Sequence, residues 1–193
     1  MAQAITDEAR QLHTLVSNLL DMARLQSGAV KLRSDWQSVE EVVGAAIRLA
    51  APALAGRPVQ VQLPAELPLV EFDATLMERV LVNLLENAAK YGQPPIEIHA
   101  GAEPQALWIT VRDHGPGLPA AMRGREQALF DTFTRGERES ATPGMGLGLA
   151  IARAIVEAHH GQITATDLSQ RGGGAEFTLR LPRGTPPAID PTE

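Results

Sequence analysis

Apolar residues recur at steps of four and three through Ile5, Ala9, Leu12, Val16, Leu19 and Ala23, and Leu15, Leu20 and Leu25 widen the stripe. This is the seam of a helix that packs lengthwise against other helices. Ser27 and Gly28 mark its end, because glycine tolerates the left-handed conformation that closes many helices. A face this apolar does not stand alone in water, so the helix must pack on the rest of the chain or on a second copy, which opens the way to a homodimer. After a short segment at residues 30–36, Ser38, Val39, Glu40 and Glu41 form a capping box that starts a helix running to about residue 55. Period-two alternation over residues 59–63 and a short apolar run at 69–72 predict strands. Asp73 caps the next helix, whose apolar positions Leu76, Val80, Leu81, Leu84, Leu85 and Ala88 share a face and which ends near Tyr91 and Gly92.

Strands are predicted at residues 96–100 and 107–113, followed by a glycine-rich loop. A polar stretch at 122–143 containing two phenylalanines has the character of a flexible cover over a site. A helix over about 147–160 ends at Gly161, strands follow at 163–166 and 175–181, and the proline-rich residues 184–193 read as a disordered tail. Strand and helix do not alternate regularly, as they would in a parallel doubly wound fold. The order predicts an α/β two-layer sandwich, a mixed sheet on about three helices, preceded by the long N-terminal helix.

The 193 residues suffice for one α/β domain and an accessory element. The formal charge of -6, with both signs interspersed, supplies no basic field for nucleic acid or an anionic membrane. Without cysteine there is no disulfide framework or thiolate metal site, which suits a reducing cytoplasm. Charges interrupt every apolar run before the roughly 18–20 residues needed to span a bilayer, and the start lacks a signal pattern, so a soluble chain is expected. The histidines at 13, 99, 114, 159 and 160 make no metal-binding spacing with carboxylates. His159 and His160 sit at a helix end, where positive charge complements the dipole.

Three clusters carry chemistry. Asn83, Asn87, Lys90 and Tyr91 can share one helix face. Two neutral amide oxygens, with phosphate oxygens and water, suit the octahedral shell of Mg²⁺, and an ammonium beside them neutralises phosphate charge. The plainer reading makes these asparagines solvent-facing helix residues. Asp113-His114-Gly115-Pro116-Gly117 follows an apolar strand, placing a carboxylate beside a tight turn. A carboxylate accepts hydrogen bonds only, so it suits the exocyclic amine of adenine and disfavours the carbonyl oxygen of guanine. The alternative is an ordinary turn. Gly144-Met145-Gly146-Leu147-Gly148-Leu149 opens an apolar helix, so amides and helix dipole converge where no side chain obstructs an anion. It fits neither the Walker nor the dinucleotide pattern.

Residues 83–91, residues 113–117, Phe130-Asp131-Thr132-Phe133 and residues 144–149 resemble, in order, the N, G1, F and G2 boxes of the histidine-kinase ATPase superfamily. The resemblance covers residues 6–182, and implies the Bergerat (GHKL) ATP-binding fold over residues 29–183 with residues 1–28 as the second helix of a dimerisation hairpin. Residues 19–25, 154–159 and 172–175 look like those of the Kdp-type potassium-responsive sensor kinases. By position, the resemblance implies that Asn87 and Asn83 hold Mg²⁺, Lys90 meets phosphate, Tyr91 flanks the base, Asp113 binds the adenine amine, and Gly115, Gly117 and Leu118 shape that pocket. It further implies ATP-binding roles for Phe130 and Phe133. Arg135 resembles the basic lid residue approaching the terminal phosphate, and Gly144, Met145, Gly146, Leu147 and Gly148 belong to the closing lid. Phosphoryl transfer of this kind is mostly positioning and electrostatics. The implied partners are a histidine-bearing dimerisation domain and a response regulator, in a cytoplasmic portion of a membrane sensor.

The superfamily's hydrolases, such as gyrase, MutL and Hsp90, carry a water-activating glutamate four residues before the metal-binding asparagine; here that position is Asn83. An amide does not take a proton from water as a carboxylate does, so transfer to a positioned acceptor is favoured over hydrolysis. Glu86 points about 100 degrees away from Asn87 on a helix and reads as structural. The family's histidine box is absent: His13 is followed by Thr14 and Leu15, and His114 fills a variable loop position. The chain is therefore expected to begin at the second hairpin helix and to bind nucleotide without autophosphorylating. Glu176 stands where many relatives place a threonine near the adenine pocket, which leaves the role of Thr178 open. The rival readings are an ATP-hydrolysing conformational switch, a serine kinase antagonising a sigma factor, and a non-catalytic association module.

Overall fold

The computed structural model describes residues 31–131 and 147–185, together with positions 16, 20 and 23. Val16 and Ala23 of the N-terminal seam and Leu20 beside it are helical and exposed; the rest of that expected helix, the 184–193 tail beyond residue 185 and the stretch from 132 to 146 lie outside the described residues.

Helix α1 (Val39–Leu54) starts where its cap dictates: Ser38 is extended, its hydroxyl accepts from the Glu41 amide at 3.4 Å, and Glu40 and Glu41 place negative charge in the first turn. Its end is the left-handed Ala55, whose amide returns to the Ala51 carbonyl. Strand β1 (Asp35–Gln37) pairs antiparallel with β3 (Val70–Phe72) as a small ribbon, and β2 (Val59–Gln62) lies at one edge of the main sheet. Helix α2 (Ala74–Tyr91) follows, then β4 (Ile96–Ala102) and β5 (Ala106–Arg112), two short 3-10 turns at Ala120–Met122 and Glu126–Phe130, helix α3 (Gly148–Ala158), β6 (Gln162–Asp167) and β7 (Ala175–Pro182). The five-stranded order is β2-β4-β5-β7-β6, with only the β2–β4 pair parallel, so the sheet is mixed.

Period-two burial drives the layering. Ile96 and Ile98 of β4, Leu107 and Ile109 of β5, and Leu179 and Leu181 of β7 are buried against the helices. The helices answer with Val43 and Ala46 of α1, Leu81, Leu84 and Leu85 of α2, and Ile151 and Ile155 of α3. Among the described residues no helix is long and apolar enough to cross a membrane.

The far ends of α2 and α3 are tied by polar groups inside this core. Asp73 caps α2 through Oδ1, which accepts from Leu76 N at 3.2 Å, while Oδ2 accepts from Arg33 N at 2.9 Å and so holds the segment before β1. The Asp73 amide donates to His159 Nε2 at 3.0 Å, so that nitrogen carries a lone pair. The ring proton therefore sits on Nδ1, facing the Ile155 carbonyl at 2.7 Å. His159 is thus a buried neutral bracket rather than a positive charge at a helix end. His159→Leu strands the Asp73 amide, and chemical denaturation is expected to show a loss of about 1–3 kcal/mol.

Candidate nucleotide-binding site

Two helices and one loop build the site. Asn83, Asn87 and Lys90 are half-buried on α2, Tyr91 at its last turn is exposed, and Lys90 Nζ stands 4.7 Å from the Tyr91 ring centroid. Glu86 lies on the exposed side of the same helix. The amide nitrogen of Asn83 is buried and meets no hydrogen-bond partner among the described residues, an unusual state for a polar group in a packed structure. Gly148, the first residue of α3, faces it: a Cβ there would lie 3.5 Å from Asn83 Oδ1. Among the described residues no side chain caps the N-terminus of α3 at Leu147, in contrast to α1 and α2 with Ser38 and Asp73. The first-turn amides of α3 and the positive end of its helix dipole therefore lie beside Asn83.

Asp113 emerges from β5 on the helix side of the sheet and is 6% exposed. Its Oδ1 accepts from Gly115 N at 2.7 Å, and its own amide donates to the Ala175 carbonyl at 3.0 Å. Burial pushes its carboxyl up from the ordinary value, partly offset by backbone hydrogen bonds from Gly115 and Ala175. Gly92, which closes α2, and Gly174, before β7, stand so close that a Cβ on either would collide with Asp113. The end of α2 is in this way brought against the Asp113 side chain, and the residue before β7 against its backbone carbonyl. The loop after it turns through Gly117 at φ +82°, a conformation suited to glycine, and buries Leu118.

The structure gives the surroundings of four further residues. Phe130 is 2% exposed and packs edge-to-face on Phe177 with centroids 6.2 Å apart, so it is part of the core. Glu176 and Thr178 alternate with the buried Phe177 and pair in register with Arg112 and Thr110, placing them on the sheet face away from Asp113; Ala175 is the β7 residue on its side. Leu147 is buried at the start of α3. Phe133, Arg135, Gly144, Met145 and Gly146 lie outside the described residues.

Sequence reasoning missed the supports of the loop. His114 Nε2 donates to Glu97 Oε1 at 2.9 Å, and His99 lies 3.4 Å from the other carboxylate oxygen. The His114 hydrogen bond holds the Glu97 carboxyl below its ordinary value of 4.5, against a smaller opposing effect of burial and with help from His99. A depressed carboxylate stabilises the fold above its unfolded value and loses that contribution as pH falls through the folded one. The thermal stability of the native chain should therefore converge on that of Glu97→Gln as pH drops below 4.5.

The profile of the family described as histidine kinase-, DNA gyrase B-, and HSP90-like ATPase matches residues 72–185, and the chain belongs to that family. It is homologous to the catalytic ATP-binding domains of sensor histidine kinases. It is 51% identical over 178 residues to the sensor protein KdpD of Escherichia coli K12, covering 91% of this chain and 19% of that protein. It is 33% identical over 187 residues to the sensor protein KdpD of Clostridium acetobutylicum, covering 95% of this chain and 20% of that protein. The chain thus spans about a fifth of the length of these curated relatives. Among solved structures, full-length ShkA in complex with AMPPNP superposes with a TM-score of 0.81 at 26% identity, covering 96% of this chain and 39% of that one.

Proposed function

We propose that this chain is the catalytic portion of a Kdp-type sensor histidine kinase, binding Mg²⁺-ATP between α2, the 113–118 loop and the start of α3. The observation that carries this reading is the convergence on α2 of three groups: the Asn83 amide and the α3 terminus against it, neither with a side-chain partner among the described residues, and buried Asp113 against the glycine that ends the helix. Asp113 accepts a hydrogen bond from the adenine amine, and the carbonyl of guanine would meet it with repulsion. The α3 amides and Lys90 take the phosphates.

Among the described residues no group of three histidine, cysteine or acid side chains could hold a metal by itself. Asn83 and Asn87 offer neutral oxygens, a set that fits Mg²⁺ only when phosphate oxygens complete the shell. Bound there, the ion would neutralise phosphate charge. With an amide at position 83, no carboxylate activates water from that point, which favours transfer to a histidine on a dimerisation domain. The phosphoryl group would then pass to a response regulator, in a cytoplasmic setting with the N-terminal helix seam available for homodimer contact.

The test is calorimetric titration of the chain with a non-hydrolysable ATP analogue, with and without Mg²⁺, and with the guanine counterpart. Saturable binding, tightened by Mg²⁺ and weaker for guanine, is expected. No binding by demonstrably folded protein overturns the reading, and brisk ATP turnover by the chain alone would favour the conformational-switch ATPase instead.

A further inference from the structure

The loop that carries Asp113 contains Gly115, Pro116 and Gly117; the proline fixes its own φ, but the glycines on either side leave the loop's ends to be held from outside. Its near end is held by the sheet: Gly174 N donates to the Gly115 carbonyl at 2.7 Å and His114 N to the Gln93 carbonyl at 3.0 Å. Its far end is anchored by the side chain of Asp167, at the last position of β6. Asp167 Oδ1 accepts from Leu118 N at 3.1 Å and from Ser169 N at 3.1 Å, and Oδ2 accepts from Ser169 Oγ at 2.8 Å and meets Arg123 Nε at 3.0 Å. Gly117 passes so close to Oδ1 that any Cβ there would collide with it. The carboxylate therefore joins the Asp113 loop, the turn after it and the β6–β7 connection. Burial alone would raise its pKa, but the Ser169 and Leu118 hydrogen bonds and the Arg123 guanidinium outweigh this and hold it ionised below the ordinary range.

We propose that Asp167 is a positioning residue for base recognition, fixing the far end of the Asp113 loop before nucleotide arrives. The inference rests on the ATP-binding reading above. Asp167 does not touch the base; it removes the ordering that a Gly-Pro-Gly loop would otherwise undergo on binding, and that ordering would weaken affinity. Base selectivity is then a property of two carboxylates, one that reads and one that holds the reader still.

The test compares the native chain with Asp167→Ala and Asp167→Asn, measuring affinity for an ATP analogue, a GTP analogue and inorganic tripolyphosphate, alongside melting temperature. Asp167→Ala should lose roughly tenfold in ATP-analogue affinity, the scale of about one freed loop residue, and its preference for adenine over guanine should narrow. Tripolyphosphate binding, which depends on α2 and α3, should hold. Asp167→Asn keeps an acceptor oxygen for Leu118 and should recover most of the loss. An unchanged adenine preference in Asp167→Ala, or an equal loss for tripolyphosphate, overturns the inference and leaves the ATP-binding reading standing. Native protein that is folded but binds no nucleotide overturns both.

Discussion

Asp113→Asn is expected to weaken ATP binding about 100-fold while leaving the fold as stable as before or more so. A hydrogen bond to a charged group contributes about 1.5–3 kcal/mol, and each 1.4 kcal/mol is tenfold in affinity. The substituted amide can also turn a donor toward the adenine amine. Stability moves the other way because burial raises the Asp113 carboxyl above its ordinary value of 3.8. An acid with a raised folded value contributes stability below the unfolded value and loses it as pH rises through the folded one, so at neutral pH the charge is a burden on the fold. Asparagine removes the charge and keeps an oxygen for Gly115 N. Calorimetric binding and thermal melting on the same sample read both arms, and a variant that binds as tightly as the native chain would remove Asp113 from the base site.

Gly174→Ala should be far more damaging to the fold. Gly174 sits at φ +95°, and a Cβ there would run into the Asp113 carbonyl, so backbone must move. Left-handed strain and overpacking together give a loss of about 2–5 kcal/mol in denaturant unfolding. Gly124→Ala is the control, because Gly124 has a similar φ of +76° with nothing within 4 Å and so isolates the strain, about 1 kcal/mol. Equal losses at the two positions would mean that the contact with Asp113 is slack.

Where local chemistry decides an element, the sequence was enough. Ser38 and Asp73 announce helix starts because the same side chains make the capping bonds, and alternation over β4, β5 and β7 marks the inward face because burial follows it. Strand β1 went unread since three residues carry no period and its partner β3 lies far along the chain. The parallel β2–β4 pair is likewise a choice of tertiary packing. In the candidate site, the sequence marked Asn83 and Asp113 as polar groups on a helix face and at a strand end, and the structure places them so, half-buried on α2 and buried after β5. The surroundings of Phe130 were not legible because an aromatic in a motif does not say how deeply it packs, nor those of Glu176 because one residue of strand parity changes the face. The supports at Gly92, Gly174, Glu97 and Asp167 depend on contacts between separate segments, which no single stretch of sequence displays.

The surroundings of Asp113 also constrain how this chain can diverge. Gly92 and Gly115 present backbone to its carboxylate and Gly174 to its backbone carbonyl, and backbone cannot be recut by exchanging side chains. On the proposed reading, preference for another base would come from Asp113 itself or from the 168–174 connection, which reshapes the loop at the same time, and a redesign should start from the connection.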